Sequence, residues 1–256
     1  SAGQFESCEL RKHIKIEPEI FYYYCDIYGM AVFQDFVNNG KYSFFIDTAL
    51  PTVAFKKGIR HLASKKQKEH FYSTAEKMVE ILYNHPSVVE YTIFNEGWGQ
   101  FKDKNIYDRF KKLDPTRLYD TASGWFYEKK SDFSSHHVYF KPIKIKGEKD
   151  KALYLSEFGG YSYKLLDHSF NLDKTYGYKN FYSKEEFEKG LLNLYENEIL
   201  PAVSEGLCAT VLTQVSDVED ETNGLLTYDR QVLKIEKDLL KPVFEEINQA
   251  FKKRNK

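Results

Sequence analysis

The chain alternates short apolar runs with longer segments whose apolar residues recur on one helical face. Leu10 to Ile16 alternates apolar and polar residues and halts at Glu17-Pro18, the pattern of a strand followed by a helix start. Glu19 to Tyr28 then reads as a helix closed by Gly29. Met30 to Phe33 is a short buried strand ending at Gln34-Asp35, followed by an irregular stretch punctuated by Gly40 and Pro51. Ser64 caps a helix that lines up Ala75, Met78, Val79 and Leu82 on one buried face and stops at Asn84-His85-Pro86. Val88 to Phe94 is the next strand.

Further strands are predicted at Leu118–Asp120, Ser135–Tyr139, Ala152–Leu155 and Ala209–Val215. The intervals 121–134 and 140–151 are too short for a full crossover helix, so loops or abbreviated helices are expected there. Residues 184–200 form an amphipathic helix around Phe187, Leu191, Leu194 and Ile199, halted at Pro201, and Val232–Phe251 a last helix. This alternation predicts an α/β fold of the TIM (β/α)8 type, which has eight strands where seven are readable. A missing βα unit needs roughly 25–30 residues, and only nine precede Leu10. The expectation is therefore a single catalytic barrel domain over 1–256 that lacks the first βα unit; the alternative is an unrecognised strand within 40–60.

Two strand ends carry candidate chemistry. The runs Val88–Phe94 and Ala152–Leu155 are followed by Asn95-Glu96-Gly97-Trp98-Gly99 and Ser156-Glu157-Phe158-Gly159-Gly160. Side chains at the C-terminal ends of barrel strands converge on one mouth, so residues far apart in sequence can face each other. A pair of glutamates in such a mouth is what glycoside hydrolysis with retention requires: one protonates the leaving oxygen and the other attacks the sugar.

Composition narrows the field. The 256 residues suit one large domain, and the net charge of −1 argues against nucleic acid as a partner. The lysines at 56, 57, 65, 66 and 68 read as a solvated loop and helix start rather than a phosphate patch. The 20 Tyr and 20 Phe are too many to be mainly ligand contacts and must largely form core. Cys8, Cys25 and Cys208 are odd in number and lack C-x-x-C spacing, so neither a disulfide framework nor a zinc site is implied. No signal peptide, membrane-length apolar run or Asn-x-Ser/Thr acceptor is visible. These absences favour the cytoplasm and no membrane partner; separately, no cofactor and no resident metal are expected.

From Leu10 to about Arg230 the chain resembles glycoside hydrolase family 2, the family of β-galactosidases, β-glucuronidases and β-mannosidases. The resemblance rests on ordered segments: residues 11–18, 32–36, Asn95–Phe101, Asp120–Trp125, His136–Tyr139, Ser156–Gly160 and Asp217–Gly224. It implies a retaining hydrolase of terminal β-glycosides, with carbohydrate as its partner. It also implies that the sugar-binding and immunoglobulin-like domains that precede the family's barrel are absent here. The alternative is a non-catalytic, carbohydrate-binding remnant of such an enzyme.

By resemblance, Glu96 is the acid/base and Glu157 the nucleophile, with Asn95 on the sugar 2-hydroxyl and Arg11 keeping Glu157 charged. His137 and Tyr139 orient the nucleophile or touch the glycone, an alternating strand turning His136 away from them. Trp98 and Trp125 either stack on sugar or pack beneath the mouth, and Asp35 and His13 are further glycone contacts. The two histidines would need a third ligand to hold a metal. The acidic run Asp217, Glu219, Asp220 and Glu221 reads as a solvated or sugar-facing loop before a cation site. Many members end the last strand on a tryptophan beneath the sugar, whereas this chain reads Thr213-Gln214-Val215-Ser216.

Overall fold

The computed structural model describes residues 9–38, 40 and 63–254. Most of the interval 40–60, where a further strand was the alternative, lies outside the described residues, as does Cys8. Contacts divide the chain into two compact units: residues up to His136 with Lys149–Ala152, and His137–Glu148 with Leu153 onward.

The first unit is built on four parallel strands in the order β1-β2-β3-β4: β1 (Glu9–Lys12), β2 (Ala31–Asp35), β3 (Val88–Thr92) and β4 (Leu118–Asp120). Their register sets Arg11 beside Phe33, Asp35 beside Thr92, and Thr92 beside Asp120, so polar residues gather at the C-terminal ends. Among the described residues, three helices belong to this unit, α1 (Glu19–Tyr28), α2 (Lys65–Leu82) and α3 (Ile106–Leu113). Helix α1 ends where Gly29 adopts φ +66, the left-handed conformation that favours glycine. Helix α2 opens with a capping box in which Ser64 and Gln67 satisfy each other's backbone N–H.

Rings dominate the core of this unit. Phe71 stacks on Phe94 at 5.2 Å, Phe36 packs on Phe110 at 4.8 Å, and Tyr22, Tyr91 and Tyr119 are fully buried. Each such ring contributes about 2–3 kcal/mol through the apolar surface it removes from water.

In the second unit β6 (Ala152–Gly159) pairs in parallel with β9 (Leu207–Thr213), and β7 (Tyr161–Tyr163) with β8 (Lys179–Phe181). Strand β5 (Phe133–Val138) carries the chain from the first unit into the second. Helix α4 (Lys184–Leu194) runs through a π turn (Tyr195–Ile199) into α5 (Leu200–Ser204), and α6 (Lys241–Arg254) follows.

The seven expected strands are all present, within a few residues of their predicted limits. Several boundaries move, three of them for a clear physical reason. Strand β1 stops at Lys12 because Ile14 turns to φ +45. Pro201 does not halt the helix at 200, because it sits in the first turn of α5, where its missing N–H is not needed. The last helix starts at Lys241 rather than Val232. Residues 232–234 are drawn into pairing with 225–227 instead, Lys234 N–H donating to Leu225 O at 2.8 Å. Among the described residues, no helix is long and apolar enough to cross a membrane.

Candidate active site

The candidate residues of the first unit are set by backbone pairing that outlasts the strands. Past β3 and β4, Ser123 N–H donates to Phe94 O at 2.8 Å and Glu96 N–H to Ser123 O at 2.9 Å. The chain then turns sharply, with φ +51 at Glu96 and +73 at Gly97. A Cβ at Gly97 would lie 1.9 Å from the Phe126 ring, so the position excludes every side chain. Buried Gln100 locks the turn by donating to Phe126 O (2.8 Å) and Glu128 Oε1 (3.1 Å). A glutamate in the left-handed region is strained by about 1–2 kcal/mol. Such strain persists where the surroundings impose it, and it marks functional positions.

Beside this turn, Arg11 forks onto Asp35 (Nε to Oδ1 2.9 Å, Nη2 to Oδ2 3.2 Å) and donates to Asn95 Oδ1 at 2.8 Å. His13 Nδ1 and the Ile14 N–H also approach Asp35 Oδ2, at 3.2 and 3.3 Å. Burial alone would raise the Asp35 carboxyl; Arg11 and then His13 overcome it and hold the group at about 2. The structure thus brings Arg11, His13, Asp35 and Asn95 together. Asp35 has the contacts of an anchor for the guanidinium, which in turn sets the Asn95 amide.

Glu90, one layer below, was not singled out from the sequence. Its Oε1 accepts from Thr92 Oγ1 (3.0 Å) and Asp120 N–H (3.2 Å), and burial, then Asp120 and Asp35, push its carboxyl well upward. The signal was there: a glutamate inside the apolar run Val88-Val89-Glu90-Tyr91. Trp98 is half-buried and donates from Nε1 to Gly40 O at 3.3 Å; Trp125 is half-buried in the loop after β4.

In the second unit, Glu157 stands on an irregularity of β6. Leu155 is opposite Thr210 and Phe158 opposite Leu212, so three steps on β6 match two on β9 and Ser156-Glu157 bulges. Bulges re-aim side chains next to functional sites. Tyr139 OH donates to Glu157 Oε2 at 2.5 Å and pairs with Thr213 Oγ1 at 2.9 Å, while His137 Nδ1 lies 3.3 Å from the same carboxylate oxygen. His137 is fully buried, and His136 on the opposite face meets Ser134 Oγ at 3.3 Å. Thr213, the last residue of β9, is a contributor the sequence did not single out for this role.

The acidic loop is occupied by protein donors. Lys234 Nζ, itself buried, donates to Asp217 Oδ1 (2.7 Å), Tyr163 O (2.8 Å) and Thr222 O (2.9 Å), and Gly224 N–H donates to Asp217 Oδ1 at 2.8 Å. Burial raises the Asp217 carboxyl and lowers the Lys234 ammonium, and their mutual contact opposes both shifts. Asp220 accepts from Asn171 and Glu221 from Gln214, each at 2.8 Å.

The parallel strands and alternating helices define an α/β protein of the TIM-barrel type. The chain belongs to the glycosyl hydrolases family 2, whose TIM-barrel domain matches residues 16–151, more than half of its length. It is similar in structure to a β-galacturonidase of Eisenbergiella tayi bound to galacturonate, with a TM-score of 0.56 and 17% identity over 94% of this chain and 45% of that one. It is also similar to the β-glucuronidase of Parabacteroides merdae (TM-score 0.60, 16% identity, 87% of this chain and 30% of that one). A third is the β-glucuronidase of Bacteroides uniformis (TM-score 0.59, 14% identity, 89% and 30%). The chain spans less than half the length of each of these proteins, and identities this low speak to the fold alone. No curated protein sequence matches it.

Proposed function

We propose that this chain is the catalytic barrel, one domain over residues 1–256, of a retaining hydrolase acting on terminal β-glycosides. The observation that carries the reading is local. Two glutamates, just past β3 and on a bulge near the end of β6, each occupy backbone built to aim one side chain.

In the first step Glu157 attacks the anomeric carbon as the bond to the leaving oxygen breaks, and Glu96 protonates that oxygen. In the second, Glu96 takes a proton from water, the water attacks the same carbon, and the carboxylate of Glu157 is released. Tyr139 and His137 hold one oxygen of the nucleophile, fixing its plane before attack. Asn95, oriented by Arg11 on its Asp35 anchor, binds the sugar 2-hydroxyl, a contact that strengthens in the transition state. The half-buried rings of Trp98 and Trp125 supply flat surfaces for the sugar, with His13 at its rim. The free thiols of Cys25 and Cys208 suit a reducing compartment such as the cytoplasm.

The reading requires the two carboxyl groups to stand about 5–5.5 Å apart, the separation of retaining enzymes, against about 6.5–9.5 Å for inversion. The test is a panel of nitrophenyl β-glycosides: galactoside, glucoside, mannoside, glucuronide and galacturonide. The two uronides are included because the structural neighbours are named for uronic acids. Turnover of at least one, lost in Glu157→Ala without loss of fold, is the expected result. Wild-type rates in that variant overturn the assignment of Glu157. Sugar binding without turnover in the wild-type chain favours the non-catalytic remnant.

A further inference from the structure

A ladder of aromatic rings leads outward from the nucleophile candidate. Tyr139, bonded to Glu157, has its ring stacked on Tyr178 at 3.8 Å and 6°, a near-parallel contact between residues far apart in sequence. Phe140 stands edge-on to Tyr178 at 4.9 Å, and Tyr176 does so at 5.7 Å. These two outer rings are open to solvent, Phe140 being 73% and Tyr176 50% exposed.

The ladder is held by backbone. Tyr178 N–H donates to Gly160 O at 2.9 Å, and Tyr176 pairs with the 220–222 loop through Asp220 O (2.6 Å) and Thr222 N–H (3.0 Å). Gly160, at φ +62, makes the stack possible: a Cβ there would lie 2.2 Å from Tyr178 Cδ2 and 3.2 Å from Tyr139 Cδ1. The backbone at Tyr176 and Tyr178 is thus held before anything binds, which lowers the entropy lost on binding. Water-exposed rings that continue a stack from a ring bonded to the nucleophile candidate have the makeup of a ligand platform.

We propose that Tyr178, Phe140 and Tyr176 form the leaving-group subsite, which takes a flat apolar ring face on the far side of the scissile bond. The inference rests on the glycosidase reading, since the side of the bond is defined by Glu157. Exposure chooses the leaving-group side: a terminal sugar must be enclosed, whereas its leaving group has to exit to solvent. The shared chemistry is a ring face, supplied either by an aryl group or by the apolar face of a second sugar.

The test uses uncleavable ligands on the full chain, so that it does not depend on turnover. Phenyl and methyl 1-thio-β-glycosides of glucose, galactose and glucuronic acid, and a thio-linked disaccharide of each, are titrated by calorimetry. The phenyl form of at least one sugar, or its disaccharide, is expected to bind about fivefold tighter than the methyl form. That preference should fall to near unity in the Phe140→Ala/Tyr176→Ala double variant and persist in Tyr182→Ala, a control at an 89% exposed ring. A disaccharide that outbinds the phenyl form makes the natural occupant a sugar; the reverse makes it an aryl group. Equal binding of all forms by the wild-type chain, or a preference that survives the double variant, overturns the subsite. A chain that shows the preference but hydrolyses no nitrophenyl glycoside fails the catalytic reading instead, so the two failures are distinguishable.

Discussion

The two glutamates are aimed by different physical means. Glu96 owes its direction to backbone: a left-handed residue, a glycine with no room for a side chain, and Gln100 fastening the turn to the next loop. Glu157 owes its direction to partners: a bulge presents it, and Tyr139 and His137 bond one of its oxygens. The bonding of Glu157 suits the role proposed for it. A nucleophile must stay ionised and still, which charge-assisted hydrogen bonds achieve.

The most drastic way to break the comparison is to remove each carboxylate. Glu157→Ala is expected to lose at least about 10⁴-fold in kcat/KM whatever the leaving group, because no covalent intermediate forms. Glu96→Ala should lose about 10²–10⁴-fold on methyl glycosides but much less on dinitrophenyl glycosides, whose leaving groups depart without a proton. Measured kcat/KM for both variants on both leaving groups checks this. An equal loss for Glu96→Ala on the two substrates removes it from the acid/base role.

Gly97→Ala attacks the backbone arrangement alone. The added methyl has to displace the Phe126 ring and hold alanine at φ +73, which should lower stability by about 2–4 kcal/mol. Urea unfolding reads the stability, and the surviving activity should be impaired more on methyl than on dinitrophenyl glycosides. Stability within 0.5 kcal/mol of wild type, taken as about the noise of a neutral surface change, would show that the turn is not fixed as described.

Tyr139→Phe attacks the other arrangement. It removes one hydrogen bond to a charged oxygen, worth about 1.5–3 kcal/mol, so kcat/KM should fall about 10- to 150-fold with every leaving group alike. A fall confined to poor leaving groups would place Tyr139 on the proton-transfer side instead.

How much of this was legible in the sequence follows from where each signal is stored. Most of the strands could be read from short apolar or alternating runs, and the two glutamates follow the apolar runs Val88–Phe94 and Ala152–Leu155. Helix α3 escaped notice because only Ile106 and Phe110 of its eight residues are buried, too few to register as a periodic face. The start of α6 was misplaced because residues 232–234 look helical locally, while the buried Asp217–Lys234 contact and the pairing with 225–227 hold them otherwise. Thr213 and Tyr178 were invisible as neighbours of Tyr139, since only the folded chain brings residues 139, 178 and 213 together.

The finest test separates two buried carboxyls of the first unit by the sign of their pH dependence. Asp35, held at about 2, adds stability that is present above the unfolded-state value near 3.9 and is lost as pH falls toward 2. Glu90 has the opposite sign. Its folded-state carboxyl is raised by burial and then by Asp120 and Asp35, so its contribution is complete below the unfolded-state value near 4.3 and is lost as pH rises through the raised one. Asp35→Asn should therefore be less stable than wild type at pH 7, with the gap narrowing as pH drops toward 2–3. Glu90→Gln keeps an oxygen for Thr92 and Asp120 N–H but cannot ionise. Its melting temperature should rise relative to wild type as pH climbs above the unfolded-state value near 4.3. The two differences, plotted against pH, should slope in opposite senses at opposite ends of the range. A flat Glu90→Gln difference would mean that Glu90 titrates as an ordinary carboxyl, unaffected by its burial beside Asp120 and Asp35.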